Sequence, residues 1–224
     1  MMLSAVMEDY LKAIYSLQQE SGAQVTTSQI ADHLDVTAPT VSSMLDKLDE
    51  RELIDREKYK GVSLTGDGER VALEVIRHHR LLEAYLSEHL DYSWVEVHDE
   101  ADRLEHHVSD EFVARVAAAL DEPEVDPHGD PIPNALLELP DQQVGTPLSE
   151  FKAETVVVVE RVSNRDPEVL AYLFEHGIDP GTELVIREVA PFGLYTLEQA
   201  GGGESVSLPE DVAQFVLVAP AEPV

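Results

Sequence analysis

The stretch TTSQIADHLDVTAPTVSSMLDKLDE, residues 26–50, decides the fold. Thr26, Thr27 and Ser28 offer hydroxyls to cap a short helix over 28–34. Asp35 and Val36 turn the chain. Thr37 or Ala38, with Pro39 in the first turn, opens a further helix to about Arg51. Upstream, Val6, Tyr10, Leu11, Ile14, Tyr15 and Leu17 recur at helical spacing over 4–20. Downstream, two short strands flank a tip at Tyr59, Lys60 and Gly61. Helix, helix, turn, helix, hairpin is the pattern of a winged helix-turn-helix, assigned to residues 1–65.

The middle of the chain, 66–140, predicts a helical domain. A long helix over 68–90 carries an apolar stripe at Val71, Val75, Leu81, Leu82 and Tyr85, followed by helices over 93–107 and 109–120. Residues 123–147 are rich in Pro, Asp and Gly and read as connecting chain, with the linker proper at 141–150. From 151 to 224, short strands (155–160, 182–188, 193–198, 205–208, 213–218) and one helix (167–176) predict a small β-barrel. The expected fold class is mainly α with a small β domain.

Composition narrows the function. The chain has 224 residues, no cysteine and a formal net charge of −30. It shows no apolar run of about 18 residues and no basic, apolar leader, so neither a membrane span nor a signal peptide is expected. A cytoplasmic protein is the expectation. The acid is spread unevenly: net −5 over 1–65, −14 over 66–140 and −11 over 141–224. Acid distributed over a whole surface suits a protein of a salt-in halophile, where molar salt screens self-repulsion.

The chemistry is concentrated between His79 and His107. A helix turns about 100° per residue, so His98, Asp102, Glu105 and His106 fall on one face, as His79 and Glu83 do on the preceding helix. Imidazole with carboxylate suits a transition ion better than Ca or Mg. At the other end of the chain, the N-terminal turn of a recognition helix would present Thr37, Ala38, Pro39, Thr40, Ser42 and Ser43 to the major groove of double-stranded DNA. Lys47, Arg51, Arg56, Lys58 and Lys60 would line the phosphates. A metal-binding enzyme and a metal-storage protein are the rival readings. The chain shows no nucleophile or substrate motif to favour an enzyme.

Taken together, these motifs resemble one family along the whole chain. They are Met7 to Tyr10 with Ile14 and Tyr15, Thr37 to Ser42, Lys58 to Gly61, Leu64 with Thr65, His79 to Glu83, His98 to Ala101, Glu105 with His106, and Pro131 to Pro133. The chain resembles the diphtheria toxin repressor and manganese transport regulator family of metal-dependent transcriptional repressors. The resemblance implies a winged-helix DNA reader, a helical domain for dimerisation and metal, and a C-terminal barrel similar to an SH3 domain. It implies a homodimer that binds a palindromic operator when loaded with Mn(II) or Fe(II), and that represses metal-uptake genes.

Carried over residue by residue, the metal site coupled to DNA takes Asp9, Asp102, Glu105 and His106. Iron-type members place Met and Cys where this chain has Asp9 and Asp102, so its oxygen donors lean towards manganese. A second site takes His79, Glu83 and His98, with Asp166 or Glu168 near where barrel ligands would fall. Manganese-type members carry a glutamate where this chain has Lys12, a departure that argues against their paired-metal arrangement.

Overall fold

The computed structural model describes residues 3–22, 24–57, 61–140, 145–163, 166–203 and 205–221. Helix α1 (Ala5–Ser21) is capped by Ser4, whose hydroxyl accepts from the Met7 amide, and ends at Gly22 in the left-handed region (φ 61°). Helix α2 (Thr27–His33) starts with a reciprocal capping box between Thr26 and Gln29. Helix α3 (Ala38–Asp49) is capped by Thr37, with Pro39 in its first turn. Strands β1 (Ile54–Glu57) and β2 (Gly61–Leu64) pair antiparallel, and Val25 bridges to Val62 beside them. One core, built on Leu11, Ile14, Ile30, Val41, Leu45, Leu48 and Val62, ties α1, α2, α3 and the hairpin together. The winged helix-turn-helix is therefore present, with Lys58 and Lys60 of its tip outside the described residues.

Helices α4 (Gly66–Leu90), α5 (Trp94–Leu104) and α6 (Asp110–Ala119) follow. Gly68 is required at the entry to α4, because a Cβ there would lie 1.9 Å from the Leu53 carbonyl oxygen. The chain separates into two compact units: Met1–His79 with Asp102–Ala114 and Pro133–Glu138, and Arg80–Ala101 with Arg115–Ile132 and Leu139–Val224. The helical middle thus contributes to both. Ala72, Leu73 and Ile76 of α4 join the first core, and Trp94 of α5 joins the second.

The second unit is built on a six-stranded antiparallel sheet in the order β3-β8-β4-β5-β6-β7. Its strands are β3 (Thr146–Pro147), β4 (Val156–Val162), β5 (Glu183–Ala190), β6 (Leu194–Gln199), β7 (Val206–Pro209) and β8 (Val216–Pro220). Helix α7 (Pro167–Glu175) follows β4, and the short α8 (Glu210–Ala213) precedes β8. This is an SH3-like β domain, and the fold class is the one the sequence predicts.

Two expectations change. Residues 146–150, read as linker, form β3, which pairs with β8, and a 3-10 turn whose Leu148 is fully buried. Within the Pro- and Asp-rich stretch, residues 126–130 are not loose chain either. The Asp126 carboxylate accepts from the amides of His128 (2.8 Å) and Asp130 (2.9 Å). The His128 carbonyl accepts from the Val162 amide at 2.8 Å, and Arg161 pairs with Asp130 at 2.8 Å. Gly129 makes this approach possible, since a Cβ there would sit 2.1 Å from the Glu160 carbonyl oxygen.

Candidate metal centre and nucleic-acid interface

In the first unit, α1 presents Glu8, Asp9 and Lys12, α4 presents His79, and the end of α5 presents Asp102. Helix α5 stops at Leu104, three residues before the expected end. Glu105 and His106 leave the helix and turn towards α1. The His106 ring lies between two carboxylates, with Nε2 2.8 Å from Asp9 Oδ1 and Nδ1 2.6 Å from Glu8 Oε2. Glu105 Oε1 is 3.3 Å from the same Nε2. Ligand atoms of Asp9, Glu105 and His106 lie within 4.8 Å of one another, as do those of His79, Asp102 and Glu105.

Glu105 is the hinge of this site. Its buried carboxylate is shared by His79 (Nδ1 to Oε2, 2.6 Å) and by Lys12 (Nζ to Oε1 3.0 Å and to Oε2 2.9 Å). Lys12 also donates to Asp102 Oδ1 at 3.0 Å, and Asp102 is 3.1 Å from His79 Nδ1. Burial pushes the Asp9 carboxyl above its usual range, a rise opposed by His106 and Lys12 and reinforced by Glu105.

The donor set fits a divalent transition ion. Asp9, Glu105 and His106 offer two oxygens and one imidazole at close quarters, while Glu8 holds the other ring nitrogen and so orients the ring. Asp102 is not in this triad; it faces Lys12 and His79 instead. Glu8 was not singled out from sequence. Acids are so frequent in this chain that one more carries no signal.

In the second unit, His98 Nδ1 lies 3.0 Å from Glu83 Oε1, and His128 Nδ1 lies 4.0 Å from Glu83 Oε2. Glu83, Asp126 and His128 form a fully buried group of potential ligands. Burial, then the charges of Glu83 and Asp130, drive the Asp126 carboxyl well above its usual range. The expectation that Glu105 and His106 continue the helical face of His98 and Asp102 fails. The single helical face breaks where α5 ends, and His98 pairs with Glu83. Asp126 and His128 were missed because they lie in a segment read as linker. Asp166 instead caps α7, accepting from the amides of Glu168 (2.9 Å) and Val169 (3.4 Å). Among the described residues, neither Asp166 nor Glu168 belongs to a group of three ligands.

The start of α3 is open to solvent: Thr37, Ala38, Pro39, Thr40 and Ser43 are exposed and Ser42 is half-buried, and Lys47 in its last turn and Arg51 beyond its end are exposed as well. The Thr37 and Thr40 hydroxyls meet at 2.9 Å, and Ser42 Oγ donates to the Ala38 carbonyl at 3.0 Å. Arg56 is engaged by Asp46 at 2.5 Å. Among the described residues, no helix is long and apolar enough to cross a membrane.

Comparison with known proteins agrees with this architecture. The N-terminal DNA binding domain of iron dependent repressors matches residues 2–62, their metal binding and dimerisation domain matches 65–134, and the FeoA domain matches 146–220. The chain is 32% identical over 223 residues to the iron-dependent repressor IdeR of Mycobacterium tuberculosis, covering 94% of this chain and 95% of that one. It is 35% identical over 163 residues to the diphtheria toxin repressor of Corynebacterium jeikeium, covering 71% and 68%. Among solved structures, a manganese-dependent transcriptional repressor in complex with manganese superposes with a TM-score of 0.86 at 38% identity, covering 96% of this chain and 100% of that one. The manganese regulator SloR superposes at 0.75 with 36% identity, covering 96% and 98%. A winged helix, an adjoining carboxylate–imidazole cluster, an SH3-like domain and these likenesses lead to one conclusion: the chain belongs to the diphtheria toxin repressor family of metal-dependent transcriptional repressors.

Proposed function

We propose that this chain is a homodimeric repressor whose binding to a palindromic operator is switched on by Mn(II) or Fe(II), and that the genes it silences serve metal uptake. One observation carries the reading. Asp9 sits on α1, inside the DNA-reading domain, while Glu105 and His106 come from beyond α5, His106 97 residues away along the chain. A divalent ion held by Asp9, Glu105 and His106 supplies the positive charge that lets these groups stay together. Glu8 holds the His106 ring so that Nε2 faces Asp9. Helix α1 shares its core with α3, so fixing Asp9 fixes the orientation of the recognition helix. Thr37, Ala38, Pro39, Thr40, Ser42 and Ser43 then face base edges, and Lys47, Arg51, Lys58 and Lys60 the phosphates. With no Arg or Asn among the groove-facing residues, specificity draws on DNA shape as well.

The donors are oxygen and imidazole, with neither thiolate nor thioether, which favours Mn(II) over softer ions. Manganese is also the metal named for one of the matching structures. A second ion would rest on Glu83, Asp126 and His128, with His98 beside Glu83. The test is fluorescence anisotropy, performed anaerobically in high KCl, on DNA from upstream of the protein's own gene and of nearby metal transporters. Mn(II), Fe(II) and Zn(II) are titrated separately. Binding that appears only with Mn(II) or Fe(II) is expected; binding indifferent to every metal would overturn the reading.

A further inference from the structure

The first unit's carboxylate cluster already contains a cation. Lys12 lies one helical turn beyond Asp9 on α1, and its side chain is only 18% exposed. An ammonium group has three N–H bonds, and three acceptor oxygens surround this one: Asp102 Oδ1 at 3.0 Å, Glu105 Oε1 at 3.0 Å and Glu105 Oε2 at 2.9 Å. His79 Nδ1 is 3.1 Å away and closes the fourth side. His79, Asp102 and Glu105 are themselves a set of ligand atoms close enough to hold an ion. The ammonium therefore stands where that ion would stand.

We infer that Lys12 is a tethered cation that fills the position bounded by His79, Asp102 and Glu105, so that a divalent ion enters only the neighbouring position of Asp9, Glu105 and His106. The inference rests on the metal reading above. Its physical basis is charge. The cluster gathers carboxylates from Glu8, Asp9, Asp102 and Glu105. Two divalent ions would balance these four charges; one such ion and one ammonium nearly do. A fixed ammonium cannot diffuse away, and a second ion would have to displace it from a buried carboxylate. Lys12 also holds Glu105 in place with no ion present. It lowers the repulsion among the acids of the metal-free protein and, by the same charge, weakens the attraction for an incoming ion. Lys12 is thus a residue that sets both the number of ions and the threshold at which they bind.

The test counts bound Mn(II) by equilibrium dialysis with elemental analysis, and records the electron paramagnetic resonance of bound Mn(II). The full-length wild type is compared with Lys12→Met, Lys12→Glu and Asp9→Ala. The wild type should show magnetically isolated Mn(II). Lys12→Glu should bind one additional ion per chain and show a spin-coupled pair. Lys12→Met, which removes the ammonium without supplying a donor oxygen, should bind the first ion about tenfold more tightly. A spin-coupled pair in the wild type would overturn the inference whether or not the variants fold. So would a folded Lys12→Glu with an unchanged count, or a Lys12→Met that binds more weakly. An Asp9→Ala variant that binds as many ions as the wild type contradicts the metal reading itself, and the inference with it.

Discussion

The two carboxylate–imidazole clusters differ in how their negative charge is met. In the first unit, Asp9 and Asp102 are 44% and 48% exposed at the side chain, and Lys12 lies among the acids. In the second, Glu83, Asp126 and His128 are at most 7% exposed. The cation nearest Asp126 is Arg80, 3.9 Å away and also 3.6 Å from Asp130. The first cluster, with Lys12 among its acids, would tolerate the loss of an ion, as a reversible sensor must. The second keeps its acids buried, so an ion there would chiefly stabilise the fold. Under the proposed function, similar residue types would serve a switch in one place and a clamp in the other, because burial and one lysine differ.

Four substitutions break or sharpen this contrast. His128→Ala should have the largest effect, lowering the stability of Mn-loaded protein by about 3–5 kcal/mol in urea melts. Mn(II) should still tighten DNA binding in that variant; loss of the DNA response with unchanged stability would exchange the two roles. Asp9→Ala comes next. Metal should tighten operator binding on the order of 100-fold in the wild type and by less than about twofold in the variant, read by anisotropy. Circular dichroism and light scattering should show that variant folded and dimeric. Asp126→Asn should stabilise chelator-treated protein by about 1–2 kcal/mol. The amide oxygen keeps the acceptor for the His128 and Asp130 amides while the buried charge goes. A destabilised variant would mean that Arg80 compensates the charge after all. Thr26→Ala, which removes the capping box of α2, should cost about 1 kcal/mol and leave the Mn(II) count unchanged.

The reader domain was legible because its signals are local. Caps at Thr26 and Thr37, Pro39 in a first turn and a helical apolar period each act within a few residues. The site was legible only in part. Asp9, Glu105 and His106 meet as the family resemblance implies, yet the shared helical face does not survive. Interactions from α1 and α4 capture the residues after Leu104: Glu8 and Asp9 take His106, and His79 and Lys12 take Glu105. Helical periodicity cannot anticipate such long-range pairings. Asp126 and His128 were hidden by composition, since Pro, Gly and Asp mark both loose linkers and tight Asx turns. Gly129, whose missing side chain lets the loop approach Glu160, reads in sequence as one more loop residue.

The central claim is that an ion at Asp9, Glu105 and His106 and the DNA site are coupled. Linkage makes that coupling reciprocal. The decisive measurement is free Mn(II), followed by electron paramagnetic resonance during titration of the protein with and without operator DNA, for the wild type and Asp9→Ala. The account predicts that DNA tightens the binding of one Mn(II) per chain by the same factor by which Mn(II) tightens DNA binding, and that Asp9→Ala abolishes the effect. Mn(II) binding that is indifferent to operator DNA in the wild type would contradict it.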